Sequence, residues 1–203
     1  PCCVADILKV VLQSEKPFCL RLTNLSPQDV NDELIAHMQR DSRLLPYIDM
    51  RMLDIQTAES HLSYIRSKMP HITLRASFEV DIANQTDEQF QALCSHIANL
   101  PVNAVDITLN SAVQDQRLKA LRELQLQLAS RQNAKLIGTQ LDVLIEGYHP
   151  ESRLLMRGRH DGQCPEIDGS VIINDGRKVT AFGKKYRVEI TDVSDYDLIG
   201  RVI

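Results

Sequence analysis

The stretch ITLRASFEV, residues 72–80, decides the fold because its apolar and polar side chains alternate without interruption. One set is apolar (Ile72, Leu74, Ala76, Phe78 and Val80), and the other is polar (Thr73, Arg75, Ser77 and Glu79). A period of two residues predicts a β-strand with one apolar face. In a barrel of parallel strands, the apolar face would contact the surrounding helices and the polar face would point inward.

Strand and helix patterns alternate on both sides of this stretch. Three more strands are predicted, at FCLRLTN (18–24), YIDMRM (47–52) and NAVDITLN (103–110). Helices are predicted from Ser26, which would cap with Pro27 at the first helical position, from Thr57 to Pro70, from the Thr86/Gln89 capping box, and from about residue 114 to 135. Four βα units of this kind amount to about half of an eight-unit α/β barrel.

The pattern changes after Gly138, where five short strand patterns follow with turn-rich segments between them. They are LDVLIEG (141–147), RLLMRGR (153–159), SVIIN (170–174), KKYRVEITD (184–192) and DLIGRVI (197–203). Five strands in so short a segment predict a small antiparallel β-barrel related to the OB type. We therefore expect two domains, residues 1–137 and 138–203.

Composition narrows the class of protein. Hydrophobic residues make up 43% and charged residues 25% of the chain, which is typical of a globular protein. The formal net charge of −4 argues against retention on nucleic acid by bulk electrostatics. No membrane span or signal peptide is predicted, so we expect a cytoplasmic protein. The chain begins at Pro1 rather than Met, which suggests a fragment or a processed chain.

Cysteine and histidine residues do not suggest a metal site. The five cysteines are Cys2, Cys3, Cys19, Cys94 and Cys164, an odd number without framework spacing, and we expect reduced thiols. His71, His149 and His160 have no cysteine or carboxylate at metal-ligand spacing. The sequence therefore predicts no metal ligands in this chain.

Specific motifs in both halves resemble one enzyme family. In the second half they are LDVLIEG after Gly138, GRHDGQCPEIDG (158–169) and ITDVSDYDLIGRV (190–202). In the first half they are RLTNLSP (21–27), NDELIAHMQRDSRLLPYIDM (31–50), LRASFEV (74–80) and TDEQF (86–90). The chain resembles the C-terminal part of RimO-type methylthiotransferases, with the later strands of a radical-SAM barrel followed by a TRAM domain.

This resemblance implies an activity. The family adds a methylthio group to an aspartate of ribosomal protein S-twelve, using S-adenosylmethionine and 4Fe-4S clusters. Two departures stand against activity in this chain alone: the cluster motif Cys-x-x-x-Cys-x-x-Cys is absent, and the family's Gly-Phe-Pro-Gly-Glu loop is replaced by DIANQ (81–85). A Pro-Leu-Gln-His stretch and a helical segment are also missing. We therefore assign no catalytic residue and expect no cofactor in the chain alone. Either the missing N-terminal half is supplied by another polypeptide, or the chain is a decayed remnant of the enzyme.

The resemblance also suggests two groups of site residues. Arg75, Ser77 and Glu79 would point into the barrel, where complementary charge could meet a sulfonium cofactor or its carboxylate. The alternative is a polar strand face balanced by solvent or by an Arg–Glu pair. In the TRAM segment, the expected partner contacts are Arg157, Arg159, Glu166 and Asp168. Turn formation alone could also explain Asp168.

Charge favours one kind of partner for the TRAM segment. From residue 139 to the end there are nine Lys or Arg and eleven Asp or Glu residues. This excess of negative charge suits binding to a basic ribosomal protein better than binding to tRNA. Two alternatives remain open: a non-catalytic binding module for a basic protein or RNA, and a relative of the tRNA methylthiotransferases.

Overall fold

The computed structural model describes residues 3–52, 54–80, 82, 85–109 and 115–203. The chain divides into two compact units, Pro1–Gln125 and Leu126–Ile203. This division falls inside a helix, the end of which belongs to the second unit. The domain boundary predicted at residues 137 and 138 lies after that helix and stays a prediction.

The first unit is a succession of helices and parallel strands. Its elements are α1 (Val4–Val11), β1 (Leu20–Leu25), α2 (Asp32–Arg40), β2 (Leu44–Met52), α3 (Ile55–Lys68), β3 (Thr73–Val80), α4 (Asp87–Asn99), β4 (Ala104–Leu109) and the start of α5 (Asp115–Ala134). The four strands form one parallel sheet in the order β1-β2-β3-β4. The predicted partial α/β barrel is confirmed.

Strand β3 lies between two neighbours and buries one of its faces. Leu74, Ala76 and Phe78 are almost fully buried, as the alternation predicted. The helices bury matching positions, among them Leu34 of α2, Leu62 of α3 and Ile97 of α4. Each large apolar side chain buried in this way contributes about 1.5–3 kcal/mol to folding.

Helix α2 begins later than the sequence predicted. The Asp29 carboxylate accepts hydrogen bonds from the Ser26 backbone N–H at 2.9 Å and from the Ser26 hydroxyl at 2.6 Å, which closes a turn. Asn31 caps the helix instead, accepting from the Leu34 N–H at 3.0 Å. The prediction of a helix start at Ser26 and Pro27 was wrong because Asp29 bonds back to Ser26 rather than joining a first helical turn.

Two other helix termini show how side chains hold the ends. The predicted capping box of α4 is confirmed, with reciprocal bonds between Thr86 and Gln89. Helix α1, which the pattern analysis did not predict, is tied down after its end by Arg43, which donates to the Leu12 carbonyl at 2.7 Å. The same guanidinium holds Asp41, and that hydrogen bond lowers the pKa of Asp41 to about 2.

The second unit contains a closed five-stranded barrel. Its strands are β5 (Gln140–His149), β6 (Ser152–His160), β7 (Val171–Asp175), β8 (Lys184–Ser194) and β9 (Asp197–Val202), in the order β5-β6-β7-β9-β8. The β7–β9 pair is parallel and the other pairs are antiparallel. The core is aliphatic and includes Val143, Ile145, Val171, Val188, Ile190 and Leu198. The predicted OB-like barrel is confirmed.

In the part of the chain that the structure describes, no helix is long and apolar enough to cross a membrane.

The parallel sheet generates a prediction about assembly. Within the described residues, β1 and β4 each pair on one side only, so each edge presents unpaired backbone groups that favour pairing with another chain. We expect the purified chain to self-associate, or to bind a polypeptide that continues the sheet beyond β1. Light scattering over a wide concentration range measures this. A well-behaved monomer at every concentration, with no gain of mass on adding the corresponding half of a relative, would contradict it.

Candidate functional site

Polar side chains from three strands meet on one face of the parallel sheet. The register places Asp49 of β2 beside Arg75 of β3, and Ser77 of β3 beside Asp106 of β4. Arg51 lies beside Ser77 in the same register. These positions form the polar face that would point into a barrel.

Asp49 and Arg75 form the centre of this polar face. The Arg75 Nε lies 3.9 Å from Asp49 Oδ1, and its Nη2 lies 3.7 Å from Asp106 Oδ2. Ser77 donates its hydroxyl to Asp49 Oδ1 at 3.3 Å, and the Asn24 N–H donates to Oδ2 at 3.1 Å. The Asp49 and Arg75 side chains are only 12% and 13% exposed. The carboxylate therefore has three partners, and the guanidinium lies between two carboxylates.

Glu79, the third predicted cofactor residue, lies further along β3 and is paired with Arg51, both side chains being about half exposed. It also lines a cavity of about 570 Å³ at the carboxyl end of β3. The polar residues lining the cavity are Asp54, Glu79, Gln85, Gln89 and His96, and the apolar ones include Ile55, Phe78, Val80 and Leu93. Most of the DIANQ segment (Asp81, Ala83 and Asn84) lies outside the described residues, as does Cys2.

The three predicted cofactor residues therefore share one face, and each has a charged or polar neighbour from the sheet itself. This arrangement matches the alternative of a polar strand face balanced by ion pairs. A role for Arg75, Ser77 and Glu79 in holding a cofactor stays a prediction.

In the second unit, the turn after β6 contains two of the predicted partner residues. The Asp168 carboxylate accepts from the Cys164 N–H at 2.7 Å, and the Asp168 N–H donates to the Cys164 carbonyl at 3.0 Å. Asp168 thus shapes its own turn. Glu166 at the tip is exposed and has φ of 65°, in the left-handed region that costs a non-glycine residue about 1–2 kcal/mol.

This turn packs against the turn between β8 and β9. A side chain added at Gly169 would place its Cβ 2.1 Å from the Tyr196 carbonyl oxygen, so only glycine fits there. Next to it, the Ser170 N–H and hydroxyl both donate to the Asp197 carboxylate, at 2.6 and 3.0 Å. The two turns therefore form one continuous surface. We call it the acidic loop surface, residues 161–170 and 195–196.

The charges of the acidic loop surface all have one sign. It contains Asp161, Glu166, Asp168 and Asp195 and no Lys or Arg of its own, although Lys185 of the neighbouring strand β8 is ion-paired with Asp161 at 2.7 Å. Two apolar side chains within it, Ile167 and Tyr196, are 48% and 47% exposed. The surface thus combines carboxylates with exposed apolar groups.

The two predicted arginines lie on β6 and share one carboxylate. Arg159 is ion-paired with Glu146 of β5, and the Arg157 Nε lies 3.9 Å from the same group. Of the four predicted partner residues, Arg159 and Asp168 therefore have close intramolecular partners, Arg157 has a more distant one, and Glu166 is exposed. Pattern analysis did not single out Asp49 or Asp195. Asp195 occupies a left-handed turn position with φ of 52°, which Asp tolerates better than most residues.

Comparison with known proteins adds family evidence. Residues 137–203 match the TRAM domain family. Nearly the whole chain is similar to proteins named ribosomal protein uS12 methylthiotransferase RimO. The relative from Protochlamydia amoebophila (strain UWE25) is 38% identical, with 98% of this chain and 48% of the relative aligned. The relative from Chlamydia felis (strain Fe/C-56) is 34% identical, with 99% of this chain and 50% of the relative aligned.

The chain spans about half the length of the curated relatives it matches. The alignment with the Protochlamydia protein covers 228 positions, whereas this chain has 203 residues, so at least 25 aligned positions have no counterpart here. That difference agrees with the segments that the motif comparison found missing.

The turn geometry predicts different roles for two neighbouring carboxylates. Asp168→Ala should lower the free energy of unfolding by about 1–2 kcal/mol, because the Cys164 N–H loses its acceptor. Glu166→Ala should change it by less than about 0.5 kcal/mol, since that side chain is exposed. Chemical denaturation followed by circular dichroism measures both. Equal losses in the two variants would contradict the assigned roles.

Proposed function

Because the chain is RimO-like over nearly its whole length and carries a TRAM domain, we propose that it supplies the later barrel strands and the substrate-docking domain of a ribosomal-protein methylthiotransferase. In this proposal the complete enzyme transfers a methylthio group to an aspartate of uS12, using S-adenosylmethionine and 4Fe-4S clusters. The chain itself contributes docking rather than the radical chemistry.

The observation that carries the proposal is the acidic loop surface. Of its four carboxylates, Asp161 is ion-paired with Lys185 of β8 and Asp168 bonds within its own turn, whereas Glu166 and Asp195 are exposed. Exposed carboxylates on two packed turns repel RNA phosphates and attract a basic protein. Ribosomal proteins are commonly basic, so uS12 suits this surface by charge. The relatives are named for the same substrate.

Charge alone would give weak docking. An exposed ion pair contributes about 0.2–1 kcal/mol, so several pairs must act together. Ile167 and Tyr196 add apolar area within the same surface, and tyrosine is among the residues most often important in interfaces. The tight packing of Gly169 against Tyr196 fixes both turns before a partner arrives, which lowers the entropic cost of binding.

The described residues do not fit an iron–sulfur cluster. Within them, no group of three His, Cys, Asp or Glu side chains could hold a metal ion. Cys3 and Cys94 are partly buried, Cys19 is exposed and Cys164 is buried in the barrel unit. We therefore assign the cluster ligands to sequence corresponding to the other half of the relatives, and no chemical step to residues of this chain.

One observation favours a second candidate, a non-catalytic binding module. Arg75 lies between Asp49 and Asp106, so these charged side chains of the face that would meet a sulfonium cofactor already have partners within the sheet. The replacement of the family's glycine loop by DIANQ at 81–85 also favours a non-catalytic role. Both candidates share the docking role of the TRAM domain. A tRNA-modifying role is disfavoured by the excess of carboxylates.

The docking proposal is tested by competition between two partners for the full chain. We expect tighter binding to uS12 than to bulk tRNA at physiological salt, and weaker binding as salt is raised. Glu166→Lys should weaken binding to uS12 roughly fivefold or more, because it replaces an attraction with a repulsion. Titration followed by fluorescence anisotropy measures these affinities.

Glu151→Lys is the matched control, because Glu151 is an exposed carboxylate of the same barrel in the β5–β6 turn. It should leave binding to uS12 nearly unchanged. Tighter binding to tRNA, or an equal loss in both variants, would overturn the assignment of the acidic loop surface.

A further inference from the structure

The direction of the strands defines two ends of the barrel. Strand β6 begins at Ser152 and finishes at His160, directly before the acidic loop surface. Because β5 is antiparallel to both β6 and β8, the β5–β6 turn and the start of β8 lie at the end where β6 begins. The loop from β7 to β8 (176–183) lies there too, since β7 is antiparallel to β6. The acidic loop surface therefore occupies the opposite end.

The end away from the acidic loop surface exposes apolar side chains. Tyr148 at the end of β5, Leu154 on β6 and Phe182 before β8 are 54%, 91% and 44% exposed. The Tyr148 and Phe182 rings meet edge to face, with centroids 5.2 Å apart and planes at 79°. Three large apolar groups are thus in contact with solvent at this end.

Cations predominate in the same segments. Residues 148–154 and 175–184 contain two carboxylates, Glu151 and Asp175, and four cations, Arg153, Arg177, Lys178 and Lys184. Arg177 binds Asp175, at 2.9 and 2.6 Å, and both lysines are exposed. We call residues 148–154 and 175–184 the basic end.

The loop that carries Phe182 is fixed by hydrogen bonds. The Tyr186 hydroxyl accepts from the Thr180 N–H at 3.1 Å and from the Ala181 N–H at 2.9 Å, and it donates to the Ala181 carbonyl at 2.9 Å. Gly183 then turns the chain with φ of 76° and donates its N–H to the Ile145 carbonyl at 2.8 Å. Phe182 is thus held exposed by a preorganised loop.

The two ends of the barrel have complementary chemistry. The acidic loop surface exposes the carboxylates of Glu166 and Asp195, and each is followed in sequence by an exposed apolar side chain, Ile167 or Tyr196. The basic end exposes lysine ammonium groups in the same loop as Phe182. Both surfaces therefore combine large apolar groups with charges, and the charges have opposite signs. Apolar contact area together with complementary charge is the usual composition of a protein–protein interface.

We propose that the basic end of one copy of this chain docks on the acidic loop surface of a second copy. An unrelated acidic peptide would satisfy the lysines, but the acidic loop surface also supplies Ile167 and Tyr196 for contact with Tyr148 and Phe182. Because the contact joins two different surfaces at opposite ends of the barrel, association continues into chains or rings and does not stop at a twofold dimer. Each surface is small, so the association is weak and reversible.

The acidic loop surface is used in both this inference and the docking proposal. Self-association does not depend on uS12 binding, but a second copy and uS12 would exclude each other from that surface. Addition of uS12 should therefore separate associated copies. Self-association in turn would hold the docking surface covered when the chain is concentrated and the substrate is scarce.

Sedimentation equilibrium of the full chain tests the inference. We expect the mean mass to rise beyond that of a dimer as the concentration approaches about 0.5 mM, and to fall as salt is raised. Glu166→Lys combined with Ile167→Ser changes one end only, and Lys184→Glu combined with Phe182→Ser changes the other end only. Each variant should raise the Kd of self-association about tenfold or more, because a reversed charge replaces an attraction with a repulsion.

Mixing the two variants is the decisive measurement. Each variant keeps the end that the other has lost, so an equimolar mixture should form a pair that neither variant forms alone and that grows no further. Recovery of this pair also shows that both variants are folded. Lys119→Glu is the matched charge control, because this side chain on α5 is 79% exposed and lies outside the barrel, and this variant should self-associate like the parent chain.

The outcomes separate this inference from the docking proposal. A parent chain that stays monomeric, variants that associate like the parent, or a mixture of folded variants that forms no pair would overturn the inference. Pairing through the open edges of the parallel sheet would give the second of these results. The Lys184→Glu, Phe182→Ser variant should still bind uS12 as tightly as the parent chain. Recovery of the mixed pair without any uS12 binding by the parent would instead overturn the docking proposal alone.

Discussion

A single guanidinium, that of Arg75, holds the polar face of the parallel sheet together. It lies between Asp49 and Asp106, and Asp49 in turn binds Ser77 and the Asn24 backbone, so four elements meet through one ion-pair network. Removing the cation would leave Asp49 buried without its countercharge, which typically costs about 3–5 kcal/mol. The apolar face of the same strands is buried under helices. The alternating apolar and polar residues of β3 therefore face the helices on one side and the ion-pair network on the other.

This network also limits what the polar face can bind. A cofactor entering it would have to displace the ion pairs that Arg75 forms with Asp49 and Asp106, and a group displaced from its buried partner would lose that stabilisation. The proposed docking role is therefore assigned to the second unit, where Glu166 and Asp195 are exposed. There, the turns at 161–170 and 195–196 contain four carboxylates and no Lys or Arg, whereas residues 175–184 contain three cations and one carboxylate. The net negative charge of the whole sequence does not reveal this uneven distribution of carboxylates and cations.

The parts of the fold that follow from local patterns were predictable, and the parts that depend on distant contacts were not. Alternation located β3, and the Thr86–Gln89 box located the start of α4, because both signals are local. The start of α2 was misplaced because Asp29 bonds to Ser26 instead of joining a helical turn.

Contacts between distant residues could not be predicted. Tyr148 and Phe182 are far apart in sequence, and Tyr148 follows a β-bulge whose position the alternation of residues does not reveal. Glu166 and Asp168 came from the family motif, but only the turn geometry separates the exposed carboxylate from the structural one.

The central claim, that the acidic loop surface docks the ribosomal protein, is tested most directly by hydrogen exchange of the full chain with and without uS12. Exchange reports each backbone segment separately and needs no substitution. The account predicts slower exchange in peptides covering residues 161–170 and 195–196, with little change at 176–183. Slower exchange confined to 176–183, or no change in any peptide of the barrel at saturating uS12, would contradict it.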